Sequence, residues 1–156
     1  MQKQIAMKYK FFFYGTLSHE MSNPVAMTVH RKLSAGKPAS VQGRLYAIAH
    51  SDGYYPALLA DVDGYAVIGN LYEANEDFTY ADIELLDEYE EFYPDDLESS
   101  EYLRQRIPVT VGGGKSVDAV AYLYNAPLPS DAIEIKGGCF ATFMRDRGFQ
   151  VFGGED

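Results

Sequence analysis

The sequence predicts an α+β fold: a small, strongly curved or closed, mostly antiparallel sheet with two or three helices packed against it. Three observations carry this reading. About six short segments are rich in aromatic and β-branched residues. They follow one another with short turn-like breaks, which favours antiparallel pairing. Only two or three segments carry a helical period or a helix start signal.

The first strand is segment 8–14, a continuous apolar run of Tyr9, Phe11, Phe12, Phe13 and Tyr14 that suggests burial on both faces. It ends at Gly15-Thr16-Leu17. Asn23-Pro24 reads as a helix start, with Asn as N-cap and Pro at the first helical position, and the helix runs through Val25, Val29 and Leu33. Strands follow at 40–49, 55–60 and 65–73, punctuated by Asp52-Gly53 and Asp63-Gly64, the second a tight-hairpin signal. Asn75 caps a helix over 76–91. An acidic loop, 93–100, precedes strands 102–111 and 117–124, which Gly112-Gly113-Gly114 joins. Segment 125–129 is a loop, and 140–147 makes two helical turns. There is no internal repeat, linker or low-complexity segment. Residues 8–156 are therefore expected to form one domain. Residues 1–7 are expected to be an N-terminal extension, with Met7 a second plausible start.

Composition narrows the function classes. The 156 residues are 47% hydrophobic and 23% charged, ordinary for a globular chain. Aromatic content tilts to tyrosine, with 13 Tyr, 9 Phe and no Trp, which suits half-buried strands and pockets that need a hydroxyl. A formal net charge of −10 disfavours nucleic acid and anionic membrane surfaces as partners. It leaves room for an anionic small molecule held by a local nest of backbone N–H groups. The single cysteine, Cys139, forms no internal disulfide. The N-terminus has no signal-peptide pattern, and no run approaches the roughly 18 apolar residues of a membrane span. A cytoplasmic location is expected.

Helical periodicity singles out Glu90. At 100° per residue, Phe78, Ile83, Leu85, Leu86 and Tyr89 share one arc, while Glu84, Asp87, Glu88 and Glu91 share the opposite one. Glu90 falls between Ile83 and Leu86, inside the apolar stripe. A carboxyl there is desolvated, partnered or at a pocket edge, and desolvation raises its pKa towards the range that suits proton transfer. The alternative is a boundary Glu reaching back to water from a fraying helix end. Asp82 also lies on the apolar arc, in the early half of the helix, where it complements the helix dipole. Tyr14-Gly15-Thr16-Leu17 has two readings as well. It is either a turn whose N–H groups receive a carboxylate or oxyanion, or an ordinary strand-to-loop turn.

Other motifs carry less. Gly112-Gly113-Gly114-Lys115-Ser116 looks like the end of a phosphate loop, but Val109 stands where that motif needs Gly and a strand follows, so it reads as a hairpin turn. His19, His30, His50 and Cys139 lack metal-ligand spacing, and no nucleophile elbow is present. Cys139 reads as a small buried thiol. Asp95, Asp96 and Glu98 read as a solvated charge run.

Taken in order, Phe13-Tyr14-Gly15-Thr16-Leu17, Gly43-Arg44-Leu45-Tyr46, Tyr55-Pro56-Ala57-Leu58, Gly69-Asn70-Leu71-Tyr72, Leu86-Asp87-Glu88-Tyr89-Glu90, Tyr102-Leu103-Arg104 and Ala121-Tyr122-Leu123-Tyr124 form a familiar series. With the run from Ile135 to Gly138 they resemble the gamma-glutamylcyclotransferase-like superfamily, in its gamma-glutamylamine cyclotransferase branch, over roughly residues 8–140. The resemblance implies a small mixed, mostly antiparallel β-barrel flanked by two or three helices. It implies an enzyme that cyclises a gamma-glutamyl amine or peptide to 5-oxoproline and releases the amine, without metal or organic cofactor. Glu90 would be its catalytic acid/base. Tyr14, Gly15, Thr16 and Leu17 would hold the substrate, and Tyr122 or Tyr124 would add a pocket hydroxyl. The partner implied is a small gamma-glutamyl compound; glutathione, gamma-glutamyl amino acids, the gamma-glutamyl-lysine isopeptide and an antibiotic intermediate all fit.

The chain departs from that pattern in three places. Glu91 follows Glu90 where the family often has Gly, segment 92–101 is rich in acid and would repel an anionic substrate tail, and Cys139-Phe140 replaces a common Asp-Trp. Two other uses of the residues stay open: a non-catalytic module that binds a small molecule in a tyrosine-lined pocket, and an interaction protein whose acidic loop docks a basic partner.

Overall fold

The aromatic run becomes strand β1 (Lys10–Phe13), with Phe11, Phe12 and Phe13 all within 3% of complete burial. A computed structural model describes residues 9–15, 24–51 and 53–149. The expected extension 1–7, the Asn23 cap and Asp52 lie outside the described residues. Beyond β1 come α1 (Pro24–His30), β2 (Lys37–His50), β3 (Gly53–Ala60), β4 (Tyr65–Glu73), α2 (Tyr80–Tyr89), β5 (Tyr102–Val111), β6 (Lys115–Tyr124), β7 (Ile133–Glu134) and α3 (Phe140–Arg147).

The sheet closes. β1 pairs antiparallel with β4 and parallel with β6. β6 pairs antiparallel with β5, β2 pairs antiparallel with β4, and β2 meets β5 at Ser40 and Thr110. The path β2-β4-β1-β6-β5 therefore returns to β2 as a five-stranded barrel, mixed but mostly antiparallel, with β3 and β7 added along β2. Closure removes the exposed edges that an open sheet of this size would carry.

Strand alternation sorts the side chains into two apolar clusters. Phe12, Val41, Val67, Val109, Ala119 and Ala121 share one, and Phe140 and Met144 of α3 pack into it. The alanines suit the confined interior of so small a barrel. Phe11, Phe13, Val120 and Tyr122 belong to the other, with Val29 of α1 and Ile83 and Leu86 of α2. These two helices cover the outer face.

Local expectations need four corrections. Asp63-Gly64 does not turn a hairpin, because β3 and β4 lie on opposite edges of β2 and the chain crosses β2 between them. Gly43 pairs with both Ala60 and Tyr65 at that crossing, and a Cβ on Gly64 would stand 2.1 Å from the Gly43 carbonyl oxygen. Helix α1 stops at His30, and Leu33 forms a bridge with Ala74 instead. Asn75 caps a turn, accepting from the Asp77 N–H at 2.8 Å, while α2 starts later with Thr79 as N-cap. There the Asp82 carboxylate accepts from the Thr79 N–H at 2.9 Å and pairs with Lys32 at 3.2 Å. The three glycines do join β5 to β6 across Val111 and Lys115. Cys139, just before α3, is half-buried rather than buried.

The end of α2 fixes the chain around Glu90. Glu90 is the C-cap, and its N–H donates to the Leu86 carbonyl at 3.0 Å. The Phe92 N–H donates to the Asp87 carbonyl at 2.8 Å and the Glu91 N–H to the Glu88 carbonyl at 3.2 Å. That pair of bonds is a Schellman cap, which needs a left-handed residue between them. Glu91 supplies it at φ 55°, the one non-glycine residue with positive φ among the described residues. A side chain in that region costs on the order of 1 kcal/mol. Glycine's freer unfolded chain offsets part of this, so Glu91→Gly should stabilise the fold by roughly 0.5 kcal/mol. The check is the midpoint of urea unfolding, and a lower midpoint would contradict the cap assignment.

Candidate active site

The cap delivers Glu90 to a cavity of about 270 Å³ lined by β1, β3, β5, β6 and the end of α2. Phe13, Tyr14 and Gly15 enter from the end of β1, Tyr55 and Pro56 from β3, Tyr102 from β5 and Tyr122 from β6. Tyr89, Glu90 and Glu91 close it from α2, with Glu101 and His50 also in the lining. Gly15 allows the wall to be this tight, since a Cβ there would meet Pro56 Cγ at 2.2 Å.

Polar groups in the wall are held by specific bonds. The Tyr14 hydroxyl donates to the Tyr122 carbonyl at 2.6 Å. The Tyr102 hydroxyl donates to the Pro56 carbonyl. The Tyr122 hydroxyl donates to Asp87 Oδ1 at 2.6 Å, and Arg104 donates to Asp87 Oδ2 at 2.8 Å. The Arg104 guanidinium also stacks over the Phe92 ring at 5.3 Å. This network ties α2 to β5 and β6 one turn before Glu90.

Glu90 lines this cavity; the residue keeps some exposed surface, while protein atoms crowd around its carboxyl. Burial, and then the nearby Glu101 carboxylate, push its pKa from the ordinary 4.5 up to about 8. Glu101 is itself raised, first by burial, against a hydrogen bond from Tyr55 that favours its charged form. Burial and the Glu90 charge hold Tyr14 well above the ordinary phenol range, so its hydroxyl stays a neutral donor. Tyr122 is raised by burial and by its bond to Asp87.

Of the residues singled out in the sequence, Glu90, Tyr14, Gly15 and Tyr122 come together in this cavity. Thr16 and Leu17 lie outside the described residues. Tyr124 is not part of the lining: it stands beyond it, edge-on to Tyr102 at 5.4 Å, its hydroxyl donating to the Pro127 carbonyl at 3.4 Å. Asp87, assigned by the helical arc to solvent, is buried at 7% exposure. Tyr55, Tyr102, Glu101 and His50 were not anticipated in the site. Asp95, Asp96 and Glu98 are exposed, as a solvated run should be. Among the described residues no group of three or more His, Cys, Asp or Glu is placed to hold a metal ion. No helix among them is long and apolar enough to cross a membrane.

A small closed barrel with an acidic, tyrosine-lined cavity at one helix end defines the class of protein. Residues 11–142 match the family described as gamma-glutamyl cyclotransferase, AIG2-like, and the chain belongs to that family. Among solved structures, an AIG2-like protein from Mus musculus is 26% identical, over 78% of this chain and 84% of the mouse chain, with a TM-score of 0.56. YkqA from Bacillus subtilis is 20% identical over 90% of this chain and 42% of its own, with a TM-score of 0.63. A gamma-glutamyl cyclotransferase is 17% identical over 75% of this chain and 66% of its own, with a TM-score of 0.51. These last two likenesses concern the fold. No curated protein has significant sequence similarity to the chain.

Proposed function

We propose that the protein converts a gamma-glutamyl amine or peptide to 5-oxoproline and the free amine, with Glu90 as general acid and base. One arrangement carries this: the Glu90 carboxyl, pushed up to about 8 by burial and the Glu101 charge, lines a cavity together with Tyr14 and Gly15 at the end of β1. A gamma-glutamyl compound brings its own nucleophile, an α-ammonium that closes a five-membered lactam on its γ-carbonyl once it loses a proton. The substrate's ammonium, arriving beside Glu90, favours the carboxylate by opposite charge. Glu90 takes a proton from the ammonium, the amine attacks the γ-carbonyl, and the carbon–nitrogen bond to the leaving amine breaks as Glu90 returns that proton to the departing nitrogen; the second proton shed by the attacking nitrogen completes the leaving ammonium. Holding the substrate folded in the cavity is the larger part of the task, because both reacting groups are on one molecule. Backbone N–H groups of the turn at Tyr14 to Leu17 would receive the α-carboxylate or the developing oxyanion.

The test is an assay for 5-oxoproline with a panel of gamma-glutamyl amines and peptides, using wild type and Glu90→Gln. Product from the wild type alone supports the reading; equal product from both proteins removes Glu90 from the mechanism. A folded wild type that binds these compounds and forms no product would favour a non-catalytic binding module. The pH profile is a second expectation. Activity needs the carboxylate, so kcat/KM should rise with pH through about 8 rather than near 4.5. Because the Glu101 charge raises Glu90, Glu101→Gln should move that rise to lower pH. An unmoved midpoint would mean that the rise does not belong to Glu90.

A further inference from the structure

Strand β3 forms a wall of the cavity, yet it pairs along one edge only. β2 takes that edge, with Leu45 opposite Leu58 and Ala47 opposite Pro56, and no described strand pairs the other. The ladder decides which backbone groups face the open edge. Leu45 spends both of its groups away from β3: its N–H donates to the Tyr65 hydroxyl at 3.0 Å, and its carbonyl accepts from the Ile135 N–H at 2.7 Å. Opposite residues in an antiparallel ladder either exchange both bonds or exchange neither. Leu58 therefore also turns its N–H and carbonyl away from β2. Pro56, two residues back, shares that side, as a residue with no N–H to give the ladder should. Leu58 is fully buried, so an unpaired N–H there would be costly.

Tyrosine hydroxyls take the place of a strand on that edge. The Tyr102 hydroxyl, from β5, donates to the Pro56 carbonyl. The Leu58 N–H faces the Tyr14 hydroxyl, which in turn donates to the Tyr122 carbonyl of β6 at 2.6 Å. One hydroxyl thus links β3 to β6 just past the end of β1, where the pairing of β1 with β6 at Phe11 and Val120 has stopped. Gly15 seats the same turn against Pro56, where a Cβ would stand 2.2 Å from Pro56 Cγ. Further along, the strands stay apart around an apolar cavity of about 250 Å³ lined by Leu58, Ala60, Ile107, Pro108 and Leu123. A phenol has one proton to donate, and that of Tyr14 is spent on Tyr122. It has none left for a substrate carboxylate or oxyanion.

We propose that Tyr14 is a positioning residue: its hydroxyl stands in for the strand that β3 lacks, tying β3 to β6 and fixing the Pro56 wall and the Tyr14-Gly15 turn relative to Glu90. The substrate meets the backbone of the turn and not this hydroxyl. The kinetic consequence rests on the cyclotransferase reading above; the hydrogen bonds do not. A wall released from β6 lets the substrate settle in geometries from which its α-nitrogen does not reach the γ-carbonyl, which costs rate more than affinity.

Tyr14→Phe keeps the ring and removes the tie. In hydrogen exchange followed by NMR on the free protein, the Leu58 amide should exchange at least about tenfold faster in the variant, while the Ala57 and Leu59 amides, which face β2, change little. For release of 5-oxoproline from gamma-glutamylbutylamine, kcat should fall about tenfold, with KM within about threefold of wild type and the pH midpoint unmoved. A loss beyond about a hundredfold would mark a donor to the oxyanion. A shifted midpoint would mark a donor to Glu90, and an unchanged kcat a bond that serves stability alone. Each of these, or an unchanged Leu58 amide, would overturn the proposal. Should the variant not fold, the wild type carries the test: the Tyr14 hydroxyl proton should show a nuclear Overhauser contact to the Leu58 amide proton, and its absence would overturn the tie. If wild type forms no 5-oxoproline from any gamma-glutamyl compound, the reaction class fails, and the measurements on the free protein decide the tie by themselves.

Discussion

Glu90→Gln should lower kcat by about 10³-fold or more and, in the same protein, raise stability at alkaline pH. The kinetic loss follows from the two proton transfers assigned to one group: general acid–base catalysis contributes roughly 10²–10⁴. Glutamine keeps the shape of the side chain and neither takes nor gives a proton. The residual rate reports what substrate folding contributes alone.

The stability gain has a definite sign. Glu90 binds its proton more tightly in the folded state, with a pKa near 8, than in the unfolded chain, where it is near 4.5. A group raised on folding adds stability that is complete below the unfolded pKa and is lost as pH climbs through the folded one. From pH 5 to pH 9 the wild type should therefore lose on the order of 3–5 kcal/mol that the glutamine variant retains. Paired urea titrations at the two pH values isolate this, because the other titrating groups are common to both proteins. Equal pH dependence in the two proteins would mean that Glu90 is hydrated rather than enclosed.

The residues that were legible in the sequence are those whose signal is local. Glu90 stood out because helical period alone puts it among Ile83 and Leu86, and both are buried. The strands were legible from aromatic and β-branched runs. What the sequence hid was long-range. Closure rests on Ser40 meeting Thr110, seventy residues away, and no nearby residue signals that. The Asp63-Gly64 pair has hairpin chemistry, but β2 comes between the strands it joins. Glu101 looked like the end of a solvated acidic run until its backbone bond to Glu91 folded the loop back onto the cavity. Tyr122 and Tyr124 share a strand face, so alternation could not say which of them reaches the cavity.

Asp87 is the instructive failure of the helical arc, and changing it should have the largest effect on stability. Angle alone grouped it with Glu84 and Glu88, yet its partners lie 17 and 35 residues ahead, in Arg104 and Tyr122. Burial raises its pKa even though both partners favour the charge, so desolvation outweighs the pairing. Such an acid is not a net asset beside an apolar core, but removing it alone is worse, because Arg104 and the Tyr122 hydroxyl are then left without it. Asp87→Ala should cost about 3–5 kcal/mol. Asp87→Leu with Arg104→Met should cost less than the two single changes added together, since no unpaired charge remains. Asp87→Asn, which keeps an acceptor for Tyr122, should fall between wild type and alanine. Urea unfolding of Asp87→Ala, Asp87→Asn, Asp87→Leu, Arg104→Met and the double variant measures all of this. A cost below about 1 kcal/mol for Asp87→Ala, or simple additivity in the pair, would show that the network does not hold α2 to β5 and β6. Because the same network anchors the helix end that carries Glu90, the asparagine variant should also lose kcat with little change in KM, as expected when the reacting carboxyl is displaced and the substrate contacts remain.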